Sequence, residues 1–136
     1  MDNCIFCKII NGEIPSFTVY EDNDFKAILD LSPATKGHTL IIPKEHSITL
    51  LDLSDEKSEK LISVTKKIVS ALKSVLGFSN YNLIQNNGRV AGQTVEHFHL
   101  HIIPRYSVEE LTLWVPHEND PSVNSDLANE VKNAIK

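Results

Sequence analysis

Basic charge is scarce in this chain, and so are long apolar runs and cysteine. Thirteen lysines and arginines stand against eighteen acids, leaving a net charge of −5 at pH 7. That balance argues against the broad basic face on which nucleic-acid binders rely, so any phosphate recognised here is held locally. No apolar stretch approaches the roughly 20 residues that a membrane-spanning helix needs, and no membrane association is expected. The opening residues, MDNCIFCKII, begin with an acid and lack a basic region and a small-residue cleavage site. No secretory signal is therefore expected, and a cytosolic location is the default. Cysteine occurs only as Cys4 and Cys7. In a cytosolic chain a single Cys-x-x-Cys points to a metal or redox role before a disulfide, yet it supplies only half of a zinc site. No internal repeat, low-complexity tract or linker is visible. With 41% hydrophobic and 23% charged residues, the 136 residues read as one globular domain, 1–136.

The clearest element lies at residues 54–76. Ser54 is a natural N-cap, acids occupy the first turn, and Leu61, Val64, Ile68, Leu72, Val75 and Leu76 keep a helical period until Gly77 stops it. Ile5, Phe6, Ile9 and Ile10 fit a short helix over 4–10, ended by NGEIP. FTVYEDNDFKAILD reads as two strands around an Asp22-Asn23-Asp24 turn, GHTLIIP as a third strand, and NYNLIQN and HFHLHIIP as two more. Val123, Leu127, Val131 and Ile135 recur every four residues and predict a final helix that docks on the body or on another chain. Five strands with a long helix between the third and fourth make an α+β domain, with a mainly antiparallel sheet and short helices at the two ends.

HFHLHIIP places three of the six histidines at alternate positions of an apolar run. In an extended chain His97, His99 and His101 share one face, and Phe98, Leu100 and Ile102 share the other. Three readings compete. A solvated histidine face without chemistry is the plainest. A single metal ion on all three is disfavoured, because same-face neighbours lie about 6.6 Å apart and three of them span about 13 Å, while metal bonds are near 2 Å. Nucleophilic catalysis is the third: a neutral imidazole attacks an electrophile such as phosphorus, and its neighbours carry protons and charge.

The motifs CIFCKIINGEIP, VYED, AILDLSPATKGHTLIIPKEH, NNG and AGQTVEHFHLHIIPRY resemble, in order and spacing, the Hint-like branch of the histidine triad (HIT) superfamily of nucleotide hydrolases and transferases. The resemblance covers about residues 3–106 and leaves 107–136 unassigned. It implies the HIT fold and hydrolysis of purine nucleoside phosphoramidates or related nucleotidyl substrates to the nucleoside monophosphate, without a catalytic metal. By the same resemblance His99 is the nucleophile that becomes nucleotidylated, and His101 and His38 support it. Asn86, Gln93 and Thr94 contact the phosphate or leaving group, and Asp30 holds the ribose hydroxyls. Ile5, Phe6, Ile9, Ile14, Ile28 and Leu31 match the walls around the base, although as isolated residues they read as ordinary core. Thr94 stands where many relatives have serine, and Ile28 replaces an aromatic found in some.

Some bacterial members that this sequence resembles bind structural zinc through four residues matching Cys4, Cys7, His46 and His97. Two thiolates and two imidazoles form a closed tetrahedral set. The family likeness also implies a homodimer in which two sheets join, with an AMP-like purine nucleotide as the small-molecule partner and no nucleic-acid or membrane partner. Alternatives are a dinucleoside polyphosphate hydrolase and a nucleotide-binding protein without turnover. His117, Lys44 and Arg105 read as surface residues.

Overall fold

The computed structural model describes residues 3–136; the readings that involve Met1 and Asp2 lie outside them. Helix α1 (Ile5–Ile10) leads into strands β1 (Thr18–Glu21), β2 (Phe25–Leu29) and β3 (Thr39–Pro43). Helix α2 (Asp55–Leu76), strands β4 (Asn80–Ile84) and β5 (Leu100–Arg105), and helix α3 (Pro121–Ala134) follow. All strand pairings are antiparallel, in the order β1-β2-β3-β5-β4.

Local chemistry sets the boundaries. The Asp22 carboxylate accepts from Asp24 N and Phe25 N, both at 2.7 Å, and so closes the β1–β2 turn. Asp24 in turn pairs with Lys57 and Lys60, fastening the start of α2 to that hairpin. Ser54 Oγ accepts from Lys57 N at 3.2 Å, and Gly77 takes the left-handed conformation, φ +74°, that ends the helix.

Two apolar layers cover the sheet. Leu61, Val64, Ile68 and Val69 of α2 pack with Phe25, Ala27, Ile41, Phe98, Leu100 and Ile102. On the other face Phe6 and Ile9 of α1 pack with Ile28, Leu40 and Ile42. The histidine row lies on the α1 side, and the alternating apolar residues Phe98, Leu100 and Ile102 lie under α2.

One boundary differs from the reading of HFHLHIIP as strand throughout: β5 begins only at Leu100. Its ladder with β3 ends at Ile41↔Leu100. Residues 97 and 98 find other partners: Phe98 N donates to Ser47 O at 2.6 Å, and the His97 ring lies 2.8 Å from Pro43 O. Pro43 has no N–H to extend the ladder. Alternation of faces nonetheless holds from 97 to 102.

Candidate active site and adjoining metal centre

Three elements converge on the histidine row: α1 from below, the loop between β2 and β3 from one side, and the start of β5. His97 and His99 are buried and His101 partly so. The Phe6 ring meets His97 and His99 edge-on, with centroids 5.9 and 5.0 Å apart.

Hydrogen-bond partners assign each imidazole a proton arrangement. His99 Nδ1 lies 2.7 Å from His97 O, a carbonyl that only accepts, so Nδ1 carries the proton. In the neutral ring Nε2 then holds a lone pair. Ala34 N donates to His38 Nδ1 at 2.9 Å, which puts the His38 proton on Nε2, 2.9 Å from His101 Nδ1. His101 Nδ1 is therefore the acceptor, and its own N–H sits on Nε2. Burial lowers the His38 pKa, opposed by Asp30, whose carboxylate lies 3.7 Å away. Burial first, then the charges of His99 and His38, lowers His101 from 6.5 to about 4. The His38–His101 pair is consequently neutral at physiological pH.

Asp30, His38 and His101 also stand close enough to enclose an ion. The Ala34 amide argues against that role: with Nδ1 of His38 occupied, Nε2 keeps its proton and has no lone pair to give. The trio is an ordered hydrogen-bond chain.

The second cluster has the opposite character. The ligand atoms of Cys4, Cys7, His46 and His97 all lie within 4.8 Å of one another. His97 Nδ1 is 3.3 Å from Cys4 Sγ, 3.5 Å from Cys7 Sγ and 3.1 Å from His46 Nδ1, and His46 Nδ1 is 3.2 Å from Cys7 Sγ. Bonds of about 2.0 Å to nitrogen and 2.3 Å to sulfur put the corners of a tetrahedral site roughly 3.3–3.8 Å apart, close to these values. His97 donates through Nε2 to Pro43 O at 2.8 Å, leaving Nδ1 unprotonated for an ion. Burial, then Cys4, pushes the Cys7 thiol up to about 11; a bound cation reverses that balance and deprotonates a coordinating thiol. These four residues fit a metal ion. His97 links the two centres, with its ring in this cluster and its carbonyl on His99.

The remaining candidates divide. Asp30 follows β2 directly and its Oδ1 accepts from Ser32 N at 2.8 Å. Asn86 is half-buried, and its amide Nδ2 lies 3.6 Å from where a Cβ on Gly92 would stand. Gly92 has φ +93°, so the loop both turns at glycine and stays clear beside Asn86. Gln93 is buried, and its amide is spent on backbone: it accepts from Gly88 N and donates to Ile48 O, each at 2.7 Å. That amide shapes the 88–93 loop. Thr94 is exposed in a cleft with Ile5, His46 and Val95, on the metal side of the row. Of the six base-wall candidates, Phe6, Ile9, Ile14 and Ile28 belong to the apolar layer under α1, while Ile5 and Leu31 are exposed at 46% and 74%. Lys44 pairs with Glu21 at 2.8 Å and Arg105 Nε donates to Asn82 at 2.8 Å, so both are engaged as surface residues.

Sequence reasoning missed the backbone groups that orient the rings: Ala34 N, Pro43 O and His97 O. No residue type signals them, because backbone carbonyls are common to all residues and the N–H to all but proline.

A HIT domain model matches residues 11–108. The chain belongs to the HIT domain family. It is 42% identical over 137 residues to adenosine 5′-monophosphoramidase hnt1 of Schizosaccharomyces pombe, covering 98% of this chain and 99% of that one. It is 45% identical to Protein hit of Bacillus subtilis, over 88% of this chain and 83% of the relative. The crystal structure of a HIT family protein from Bacillus anthracis superposes with a TM-score of 0.92 at 45% identity, covering 99% of both chains. The five-stranded antiparallel sheet with its helices is thus the HIT fold.

Proposed function

We propose that this protein hydrolyses purine nucleoside phosphoramidates or related nucleotidyl substrates, releasing the nucleoside monophosphate through a nucleotidyl-histidine at His99. The observation that carries the reading is the hydrogen bond from His99 Nδ1 to His97 O, which directs the lone pair to Nε2. In the first step that lone pair forms a bond to the α-phosphorus, and the P–N bond to the amine breaks as the nitrogen takes up a proton from solvent. In the second, water attacks phosphorus and the bond to His99 breaks. Since Nδ1 of His101 is taken by His38, its remaining N–H is the donor we assign to a phosphate oxygen. Asn86 and Thr94 are assigned to the phosphate and leaving group, Asp30 to the ribose, and Ile5 and Leu31 to the base, with Phe6, Ile9, Ile14 and Ile28 beneath. The naming of the S. pombe relative as an adenosine 5′-monophosphoramidase supports the substrate class.

We further infer that the ion held by Cys4, Cys7, His46 and His97 is zinc in a closed, structural site, supported by its two sulfur and two nitrogen donors. We infer a homodimer joined at the sheet edge: β4 is terminal in the sheet, and Tyr81 and Leu83 are more than 40% exposed. A cytosolic location accords with the absence, among the described residues, of a helix long and apolar enough to cross a membrane.

The test is AMP release from adenosine 5′-phosphoramidate by wild type and His99→Ala, with diadenosine tetraphosphate in competition. Release by wild type alone, with the phosphoramidate preferred, supports the reading. Equal turnover by both proteins overturns the nucleophile. Preference for the tetraphosphate moves the activity to a dinucleoside polyphosphate hydrolase, and AMP binding without turnover makes this a binding protein.

A further inference from the structure

A Cys-x-x-Cys pair admits a metal or a redox role, and the reading of Cys4 and Cys7 as ligands uses only the first. Cys4 is the N-cap of α1, where its Sγ accepts from Cys7 N at 3.4 Å. One helical turn sets the two Cα atoms about 5 Å apart, inside the roughly 4.4–6.8 Å that a disulfide spans. The two sulfurs lie within 4.8 Å of each other, and the chain has no other cysteine.

Neither thiol is sealed from solvent. Both residues are part-exposed, and Cys4 lines a cleft of about 380 Å³ together with His46, Ile48 and Thr94. Cys7 is not among the walls of that cleft; its Sγ faces the His46 and His97 rings at 3.2 and 3.5 Å. The thiolate that holds a metal is also the form that attacks an oxidant. In a reducing compartment such a pair closes only transiently, on meeting one. Closure also changes the ligand set. The sulfurs of a disulfide carry no charge, so His46 and His97 would remain as two neutral donors where a structural site needs four.

We propose that Cys4 and Cys7 form an oxidation site for hydroperoxides, that closing their disulfide empties the metal centre, and that turnover at His99 falls with it. This rests on the zinc site and the reaction proposed above. The Cys4 thiolate, open to the cleft, attacks the terminal oxygen of the hydroperoxide. An S–O bond forms, the O–O bond breaks, and the departing oxygen takes a proton. The Cys7 thiolate then attacks the Cys4 sulfur: the S–S bond forms, the S–O bond breaks, and hydroxide leaves with a second proton as water. The two sulfurs lose two electrons and the O–O bond takes them. His97 is then no longer tied through its ring to α1, and its carbonyl is the partner of His99 Nδ1.

The test treats zinc-loaded, full-length protein with hydrogen peroxide. Released zinc is read with a metallochromic dye, the state of Cys4 and Cys7 by tandem mass spectrometry, and AMP release from adenosine 5′-phosphoramidate in the same samples. A 4–7 disulfide should appear in step with zinc, about one ion for each disulfide, while kcat falls about tenfold or more. A phosphine reductant with added zinc should restore all three. Dimedone present during oxidation should tag Cys4 ahead of Cys7. Zinc retained beside the disulfide, a disulfide joining two chains, oxidation to sulfinic acid in its place, or a tag on Cys7 first overturns the proposal. Full turnover by the zinc-free disulfide form overturns it as well. A protein that purifies without zinc fails the metal reading and this one with it. A protein that holds zinc but cleaves no phosphoramidate fails the proposed reaction, while the disulfide and the zinc release still decide the oxidation site.

Discussion

Replacing His101 by glutamine should flatten the acid side of the stability profile. The His101 ring lies against His99 and His38, with Nδ1 2.9 Å from His38 Nε2 and its centroid 4.9 Å from that of His99. Burial and those two neighbours lower its pKa from 6.5 to about 4, against the pull of Asp30. Between pH 6.5 and about 4 the unfolded chain therefore binds a proton that the native chain does not, and stability rises with pH across that window. The contribution is fully present above the unfolded value and is lost as pH falls towards the folded one. At about 1.4 kcal/mol per pH unit the shift corresponds to up to about 3 kcal/mol, which the part-exposed ring reduces to about 2 kcal/mol. Urea unfolding of wild type and His101→Gln at about pH 7 and about pH 4 measures it. The wild type should lose about 2 kcal/mol more than the variant. Parallel profiles would refute the assignment of a buried neutral His101.

Protein purified without added metal should contain about one zinc ion per chain, and Cys7→Ser should lose it; a metal-replete wild type without zinc by elemental analysis would sink the site. His38→Ala removes the donor to His101 Nδ1, so kcat should fall about 10- to 100-fold with KM little changed, and an unchanged kcat would remove His38 from the mechanism. Gly37→Ala should destabilise by about 1–3 kcal/mol in thermal or urea unfolding. Its φ is +90°, and a Cβ there would run into Leu76 Cδ1 and approach Pro104 Cγ to 3.4 Å. A neutral effect would mean that the β3 entry is looser than described.

Periodicity carried much of the fold into the sequence. The period of α2 and its Ser54 and Gly77 ends were legible because capping and burial act within one turn of the chain. The Asp22-Asn23-Asp24 turn was legible for the same reason. The start of β5 was not, because it depends on Pro43 and Ser47, some fifty residues away. Spacing alone disfavoured a single ion on the three histidines but left catalysis and solvation open. The resemblance supplied the grouping of Cys4, Cys7, His46 and His97, and the structure brings those four together. Among the base-wall residues, the plain reading as core describes Phe6, Ile9 and Ile28 well, since each is under 8% exposed. Gln93 shows the limit of residue type: a side chain suited to phosphate turns inward to hold its own loop.

The three alternating histidines have one side chain in common and three different protonation patterns, decided by what meets each ring. His97 gives its proton through Nε2 to Pro43 O, which leaves Nδ1 for a metal. His99 gives its proton through Nδ1 to the His97 carbonyl, which leaves Nε2 for an electrophile. His101 accepts at Nδ1 from His38 and keeps a proton on Nε2 to donate. The first assignment supports the second. A metal on the His97 ring would fix that residue, which holds the carbonyl on which the His99 tautomer depends. Loss of a bound metal should therefore reach the His99 ring. Under gentle chelation kcat should decline in step with metal content while AMP still binds, as Asp30 lies on the other side of the row. Full activity in a chelated, folded protein would show that the carbonyl stays in place without the ion.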